Sequence, residues 1–368
     1  MGIFCIAGDT MSHEKPDVMK ENQEPQPPSG QEAPGPVRCV DVIVAAWNRE
    51  DTIERAVASA LAEPEVHSVL VVDDGSTDKT AQRAHAADDG SNRLAILRLA
   101  QNRGPAAARN AALLESAAPW ITILDGDDYL LPGRFSQMLA LAQGWDFIAD
   151  DILQVREDRV DIDTPHPMLA AGGAFEPWRC GLQTFVLGNI TRTGRNRKEL
   201  GFFKPLIRRA FLDEHRLRYD ETLRLGEDYA LYVRALAAGA RFRVVPACGY
   251  VSVMRERSLS GNHSKQDLER LRDSDLALEA LPGLLAAERA AIKEHHRSVD
   301  ARAQWLEVIE AVKARDAGRI FAAYCRSPAV ARFISARLAE QLFQRTARYF
   351  KNHSSGRTPL VNPAPSPE

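Results

Sequence analysis

The amino-acid sequence predicts an α/β protein with a mostly parallel sheet, flanking helices and a helical C-terminal region. Short apolar segments rich in β-branched residues alternate with helical segments, a pattern typical of βαβ units with right-handed crossovers. Polar residues cluster directly after each apolar segment. Open α/β sheets bind their ligands at the carboxyl ends of the strands, so we expect the chemistry at this edge.

Composition excludes several classes of function. The 368 residues, 45% of them hydrophobic, are enough for one large domain with appendages. Lys and Arg number 47 against 50 Asp and Glu, which gives a net charge of -3, so no nucleic-acid partner is expected. The five cysteines are widely spaced and form no C-x-x-C, which argues against a disulfide framework or a zinc site and fits a reducing cytoplasm. Neither a signal peptide nor a membrane span is predicted.

The first strands are predicted in the N-terminal third of the chain. Residues 1–38 are expected to form a disordered leader, because residues 12–36 are rich in Pro, Glu, Gln and Gly and hold almost no large apolar side chains. Strand-like apolar runs follow at residues 40–46, 66–72 and 94–99. The first helix is predicted to begin after Asp51 or Thr52. A later helix opens at Pro105, where a missing N–H costs little, and carries Arg109.

The fourth predicted strand ends in three carboxylates, Asp125, Asp127 and Asp128, around Gly126. Carboxylates this close repel one another unless a cation or a hydrogen-bond network offsets their charge, and Mg²⁺ and Mn²⁺ prefer oxygen ligands. The first interpretation is therefore a metal site. The alternative is an acidic turn in which Asp127 or Asp128 caps the next helix. An EF-hand is excluded, because its turn glycine and its final glutamate are absent from the required positions.

The polar residues that follow the four predicted strands would face one crevice and form a nucleotide site without the G-x-G-x-x-G or P-loop motif.

Further along, residues 146–153 are predicted to form one strand, and residues 165–189 are predicted to form loops and a helix that make an acceptor-side wall. A helix at residues 229–238 should end at Gly239, followed by strands at 241–245 and 250–254. Three parts complete the predicted organisation: a catalytic domain of residues 39–263, a helical region of 264–352 and a disordered tail of 353–368.

Five sequence blocks resemble the inverting family 2 glycosyltransferases of GT-A fold. They are VIVAAWN at residues 42–48, VVDDGSTD at 71–78, NRGP at 102–105 with ARN at 108–110, LDGDD at 124–128 and GED at 226–228. Residues 201–209 and 218–228 are also similar to the succinoglycan-type glucosyltransferases of bacterial exopolysaccharide assembly. The chain departs from the usual family pattern at Ala45 and Trp47, where proline and tyrosine are common. This difference bears on the shape of the base-binding pocket.

The resemblance implies a donor site for a UDP-sugar. Asp73 would hydrogen-bond the uracil or ribose, with Asn48 and Glu50 lining the same pocket and Asn102 contributing from the third block. Arg109 would lie over the donor phosphates or brace the carboxylates. Turn capping for Asp73 and a solvated surface charge for Arg109 are the structural alternatives.

The resemblance also implies a metal site and a general base. Asp127 would ligate Mg²⁺ or Mn²⁺, Asp125 would contact the ribose or the water shell of the metal, and His263 would add a third ligand. Asp228 would accept the proton of the acceptor hydroxyl, while Glu227 would orient the acceptor. The alternatives are a solvated loop histidine and two acids that only favour the first turn of a helix.

The implied function is transfer of one sugar, glucose in the related enzymes, to a polyprenyl-diphosphate-linked or oligosaccharide acceptor. The Q-x-x-R-W motif of processive synthases is not found, which favours single addition over polymerisation. A metal-dependent phosphatase, a nucleotidyltransferase and an inactive sugar-nucleotide-binding protein are the competing functions. Whether the chain forms a homodimer is left open.

The C-terminal segment suggests a location for the protein. Residues 326–351 carry six basic residues against the single acid Glu340, and their apolar residues can form one face of a helix. The segment would act as an interfacial helix at the cytoplasmic face of the inner membrane. The alternative is an ordinary helix that packs its apolar side on the catalytic domain.

Overall fold

The computed structural model describes residues 37–160, 163–169, 175–190, 199–255 and 263–354, without the side chains of 344, 345 and 347–354. The predicted leader up to residue 36 and the predicted tail from residue 355 lie outside the described residues. The strands are β1 (Val40–Ala46), β2 (Val66–Asp73), β3 (Leu94–Arg98), β4 (Trp120–Ile123), β5 (Tyr129–Leu130), β6 (Phe147–Asp150), β7 (Leu153–Arg156), β8 (His166–Pro167), β9 (Trp178–Arg179), β10 (Leu206–Arg208), β11 (Phe242–Val245) and β12 (Tyr250–Met254).

Helices flank the strands in the first part of the chain and follow one another at its end. The helices are α1 (Ile53–Leu61), α2 (Thr80–Ala86), α3 (Pro105–Glu115), α4 (Arg134–Ala140), α5 (Leu182–Gly188), α6 (Arg209–Glu214), α7 (Glu227–Ala237), α8 (Lys265–Glu279), α9 (Ala286–Lys313), α10 (Ala317–Tyr324) and α11 (Pro328–Ser354). Gly239, with φ of +93°, follows the end of α7 as predicted.

An eight-stranded sheet forms the centre of the fold, with the order β3-β2-β1-β4-β10-β6-β11-β9. The pairs β1–β2, β1–β4, β2–β3 and β6–β11 are parallel, whereas β10 is antiparallel to both neighbours and β9 is antiparallel to β11. Nearly every residue of β1 is buried, because helices cover both faces of the sheet. The predicted α/β fold with a mostly parallel sheet is confirmed.

The single strand predicted at residues 146–153 is wrong. The chain forms β6, leaves the large sheet at Asp151 and enters a second sheet as β7, with the order β5-β12-β7-β8. The carboxylates of Asp150 and Asp151 explain the break, because both accept main-chain hydrogen bonds at the turn. Asp150 Oδ2 accepts from the N–H groups of Cys248, Gly249 and Tyr250, and Asp151 accepts from Leu169.

The C-terminal helices do not all pack in the same way. Leu268 and Leu271 of α8 and Ile292 and Val299 of α9 are buried in the same core as the large sheet. The helices α10 and α11 instead contact α9 through a separate small cluster that includes Val308, Ala323, Val330 and Ile334. None of the helices in the described ranges combines the length and the apolar character that crossing a bilayer demands.

Candidate active site

One large cavity lies where the predicted site residues converge. Of the site residues predicted from the sequence, those that line this cavity are Asn102, Arg109, Asp125, Asp127, Glu227, Asp228 and His263. They come from the loops after β3 and β4, from α3, from the first turn of α7 and from the residues before α8. Asn189, at the end of α5, also lines the cavity, within the segment predicted to form an acceptor-side wall.

Arg109 is the centre of a buried charge network. Its Nη1 donates to Glu227 Oε1 at 2.7 Å and to Asp228 Oδ1 at 3.0 Å, and its Nη2 donates to Asp125 Oδ1 at 3.1 Å. Burial by itself would lower the pKa of the guanidinium, but the charges of Asp228 and Glu227 raise this pKa well above its ordinary value. Arg109 is therefore not a solvated surface charge.

Lys204, which is not among the site residues predicted from the sequence, is the second cation of this network. Its Nζ lies 2.8 Å from Asp228 Oδ2 and 3.1 Å from Asp125 Oδ2. Although burial disfavours the charged amine, the two carboxylates raise the pKa of Lys204 above its ordinary value. A sequence signal does exist, since Lys204 stands alone between Phe203 and Pro205 just before a buried strand.

The two cations in turn affect the pKa values of the carboxylates that they contact. Burial would raise the pKa of Asp125, but Lys204 and then Arg109 attract its charge so strongly that the pKa is lowered. The pKa of Glu227 is raised, because burial and the charge of Asp228 outweigh the attraction of Arg109. Two cations thus face three acids. All of these side chains except Asp125, which is 35% exposed, are largely shielded from water, a low-dielectric setting in which such interactions are strong.

Comparisons with known proteins identify the architecture around this network. The sequence model for Glycosyl transferase family 2 matches residues 41–209. The succinoglycan biosynthesis protein ExoU of Rhizobium meliloti is 49% identical over 290 residues, which are 79% of this chain and 84% of ExoU. The chain belongs to glycosyl transferase family 2.

Two further similarities concern more distant proteins. The UDP-Glc:alpha-D-GlcNAc-diphosphoundecaprenol beta-1,3-glucosyltransferase WfaP of Escherichia coli is 25% identical over 71% of this chain and 90% of that protein. The crystal structure of S. aureus TarS 1-349 in complex with UDP-GlcNAc has a TM-score of 0.54 and 19% identity, covering 76% of this chain and 89% of that one. The second likeness shows a shared fold and confirms the expected GT-A architecture. The protein is a glycosyltransferase, so the phosphatase and nucleotidyltransferase interpretations are wrong.

Asp127 and Asp128 of the family 2 acidic motif have different surroundings. Asp127 Oδ2 lies 3.4 Å from Arg49 Nε and 3.4 Å from Arg255 Nη1, and the side chain is partly exposed in the cavity. Asp128 is buried and accepts from Tyr250 Oη at 2.8 Å and from the Val253 N–H at 2.9 Å. Burial, then the charges of Asp125 and Asp127, raises the pKa of Asp128 to about 8. Neither acid caps a helix, since α4 has Gly133 as its N-cap residue.

The fit of the cavity to a divalent cation rests on Asp127. Within the described ranges, no three His, Cys, Asp or Glu side chains converge closely enough to hold a metal ion. Asp125 lies 3.1 Å from both Arg109 and Lys204, whereas Asp127 is held less closely by its two arginines, at 3.4 Å. Residues 256–262, which precede His263, lie outside the described residues. Mg²⁺ is commonly held by one or two carboxylates together with substrate phosphates. The Asp127 carboxylate suits such a shared site.

Three predicted donor-site residues, Asn48, Glu50 and Asp73, are not among the residues that line the cavity. Their side-chain oxygens accept main-chain hydrogen bonds within the loops after β1 and β2, from Thr77, Lys79 and Ser76 respectively. Asp73 Oδ2 also lies 3.3 Å from Arg98 Nε. These bonds tie the two loops together beside the cavity.

The neighbouring residues Asp74 and Asn102 do line the cavity. The Asp74 carboxylate accepts from the N–H groups of Arg103 and Gly104 at 2.7 and 2.8 Å and fixes the loop before α3. Asn102 Oδ1 is buried and has no hydrogen-bond partner within the part of the chain that the structure describes. A buried oxygen without a partner is costly, and a ligand donor in the cavity would remove that cost.

Proposed function

We propose that this glycosyltransferase moves one glucose, with inversion, from UDP-glucose to a polyprenyl-diphosphate-linked oligosaccharide in exopolysaccharide biosynthesis. The observation that carries the proposal is the placement of Asp228, buried in the cavity between Arg109 and Lys204 and beside Asp125. The names of two relatives support the donor and acceptor classes: ExoU is a succinoglycan biosynthesis protein, and WfaP uses UDP-Glc and a diphosphoundecaprenol-linked sugar.

Asp228 is the general base of the proposed transfer. It receives the proton of the acceptor hydroxyl as that oxygen attacks the anomeric carbon opposite the leaving diphosphate. Its two oxygens accept from Arg109 and Lys204, and each carboxylate oxygen has a further lone pair for the acceptor. The two cations fix the carboxylate in position. Glu227, held by the same Arg109, orients the acceptor.

The donor binds on the side of the cavity formed by residues of the first four strands and their loops. The buried Oδ1 of Asn102 accepts a hydrogen bond from a hydroxyl or from the uracil N–H of the UDP-sugar, and Asp73, Asn48 and Glu50 shape the loops beside it. Arg49, which lines the cavity next to Asp127, adds positive charge for the diphosphate. Asp127, with Asp125 and His263 lining the same cavity, would hold Mg²⁺ or Mn²⁺, which would help to stabilise the negative charge of the leaving diphosphate.

The proposed location is the cytoplasmic face of the inner membrane, where a lipid-linked acceptor presents its sugars. Apolar side chains are exposed on the last two helices, including Phe321 on α10 and Leu342 and Phe343 on α11. An anionic surface attracts nearby Lys and Arg residues, each by about 1 kcal/mol. The side chains of Arg345, Arg348, Tyr349, Phe350 and Lys351, which the prediction also used, lie outside the described residues. A homodimer through the same surface is the alternative.

A donor screen tests the proposed reaction. The purified protein is incubated with UDP-, GDP- and dTDP-sugars and Mn²⁺, and nucleotide release and thermal shift are measured. UDP-glucose should give the strongest response. A stronger response to a GDP- or dTDP-sugar would contradict the proposed donor.

The variant Asp228→Asn tests the assigned base. It should retain affinity for UDP-glucose while kcat falls by roughly two orders of magnitude or more, as expected on loss of a general base. Glu227→Gln is the matched control and should lose less. If Asp228→Asn is folded and turns over acceptor at near the wild-type rate, the base lies elsewhere.

A further inference from the structure

A buried polar cluster joins α7, α8 and α9 behind the proposed base. The Asp275 carboxylate accepts from Tyr229 Oη at 3.1 Å and lies 2.8 Å from His295 Nδ1. The rings of Tyr229 and His295 stack with their centroids 4.2 Å apart. All three side chains are buried, Asp275 completely so. Burying a carboxylate and an imidazole is costly unless they are paired, and apolar residues would pack these helices without that cost.

The cluster reaches the cavity through His295. This residue lines the same cavity as Asp228, and its stacking partner Tyr229 directly follows Asp228 in the chain. The imidazole therefore packs against the residue that follows the base, on a wall of the cavity that the predicted donor residues, from residues 48–127, do not form. A general base must contact the attacking hydroxyl, so groups next to it meet the acceptor.

The helix α8 closes tightly on the same region. Gly226, with φ of +76°, precedes Glu227, and a Cβ built on it would lie 2.7 Å from Leu271 Cδ1. Leu271 itself lines the cavity, as do Asp267 on α8 and Arg302 on α9. The helices α8 and α9, which lie beyond the segment matched by the family model, thus form one wall of the site.

We propose that His295, held by Asp275, is a specificity-determining residue that hydrogen-bonds a hydroxyl of the acceptor sugar. The proposal rests on the glycosyl transfer proposed above. An ionised carboxylate can only accept hydrogen bonds, so the ring nitrogen that faces Asp275, Nδ1, carries a proton, and Nε2 is the nitrogen left for a ligand. A sugar hydroxyl suits this nitrogen, because a hydroxyl can both donate and accept a hydrogen bond. Asp275 and Tyr229 position the ring, and His295 makes the contact.

Three variants of the full chain test this role. His295→Ala removes the contact, and His295→Gln keeps a hydrogen-bonding group near the position of Nε2. His296→Ala is the matched control, because His296 is the next residue of α9, contacts the Arg272 carbonyl oxygen and is not among the residues that line this cavity. Release of UDP from UDP-glucose is measured with a panel of octyl glycosides as acceptors, and UDP affinity is measured by calorimetry.

The expected result is weaker acceptor binding with unchanged donor binding. His295→Ala should raise the acceptor KM by roughly tenfold or more, the loss expected for one hydrogen bond of good geometry, while the Kd for UDP stays within about twofold. His295→Gln should restore part of the loss, and His296→Ala should behave as the wild type.

Several outcomes would overturn the inference. An unchanged acceptor KM in His295→Ala, or equal losses of UDP and acceptor binding, would leave His295 a structural residue. A wild-type enzyme that turns over UDP-glucose but responds to no glycoside would also contradict an acceptor-sugar site here. A wild type that binds no UDP-sugar would instead overturn the proposed function itself.

Discussion

Lys204 Nζ lies 2.8 Å from Asp228 Oδ2 and 3.1 Å from Asp125 Oδ2, so one buried amine compensates two carboxylates of the site. The position of the antiparallel strand β10 brings Lys204 close to these two carboxylates. Because β10 is inserted between β4 and β6, the residues just before it enter the cavity beside the acids that follow β4. The positive charges of Lys204 and Arg109 together offset the free-energy cost of burying these carboxylates in the interior.

Removal of this amine should destabilise the protein. In Lys204→Met, Asp125 and Asp228 lose a buried partner, and breaking a buried pair from one side costs about 3–5 kcal/mol. Urea unfolding measures the loss. Lys265→Met is the control, because Lys265 is a partly exposed lysine paired with Glu269 and Glu307, and loss of such a pair costs about 1 kcal/mol or less. Equal losses in the two variants would contradict the compensating role of Lys204.

The N-terminal part of the fold could be predicted from the sequence because its information is local. Each of the strands β1 to β4 is a short, largely apolar run, and the polar residues that follow β3 and β4 mark the edge that carries the cavity. The prediction that Asp125, Asp127 and Asp228 share one site depended on the family resemblance, since Asp228 is distant in the sequence from the other two.

The other parts of the site depend on contacts that no local pattern encodes. Nothing in the spacing of Lys204 indicates that it pairs with Asp125 and Asp228. The split of residues 146–153 into β6 and β7 follows from main-chain bonds to Asp150 and Asp151 that form only in the folded chain. The contribution of α8 and α9 to the cavity likewise depends on tertiary packing.

Metal-dependent donor binding should require Asp127. Calorimetric titration of UDP with Mn²⁺ should show weaker binding to Asp127→Asn than to the wild type, because the carboxylate that would share the cation with the diphosphate is gone. In EDTA the two proteins should bind UDP equally weakly, and EDTA should abolish turnover. The exposed Asp158, paired with Arg156, provides a control through Asp158→Asn. Equal UDP affinity of Asp127→Asn and wild type in Mn²⁺ would rule out this ligand.

Asp41 should make folding stability depend on pH in the acid range. Its buried carboxylate accepts from the N–H groups of Ala117 and Ala118, both at 2.7 Å, and from Ser68 Oγ at 2.5 Å. Burial would raise the pKa of Asp41, but these hydrogen bonds and the one to His67 lower it below the ordinary value of 3.8. A carboxyl whose pKa is lower in the folded state stabilises the fold above pH 3.8, and this contribution is lost as the pH falls below that value.

The variant Asp41→Asn tests this linkage. It should lower the free energy of unfolding by about 2 kcal/mol at pH 7, since hydrogen bonds to a charged group are worth about 1.5–3 kcal/mol. The difference from wild type should shrink as the pH falls below about 4. Urea unfolding from pH 7 to pH 3 measures both, with Glu115→Gln, at the exposed end of α3, as a control that should follow the wild-type curve. A difference independent of pH would contradict the assignment.

The final prediction concerns α11, whose row of apolar residues continues beyond the part that packs against α9. At intervals of four residues, exposure rises from 1% at Val330 and Ile334 to 43% at Leu338 and 64% at Leu342. The first two residues pack in the cluster with α9 and not in the core of the large sheet, so this part of the helix packs on a neighbouring C-terminal helix, whereas the alternative expected packing on the catalytic domain. The uncovered part offers apolar area to a lipid surface.

Flotation with vesicles that contain anionic lipid tests this membrane contact in the full chain. The wild type should float, and Leu342→Glu should float much less. A carboxylate at this position is costly to bury in the lipid and is repelled by the negatively charged membrane surface. Leu114→Glu is the matched control, since Leu114 is an exposed leucine on α3. Equal flotation of all three proteins, or of none, would contradict the proposed contact. Loss of a dimer by Leu342→Glu in light scattering, with no flotation of the wild type, would assign the surface to a second copy of the chain instead.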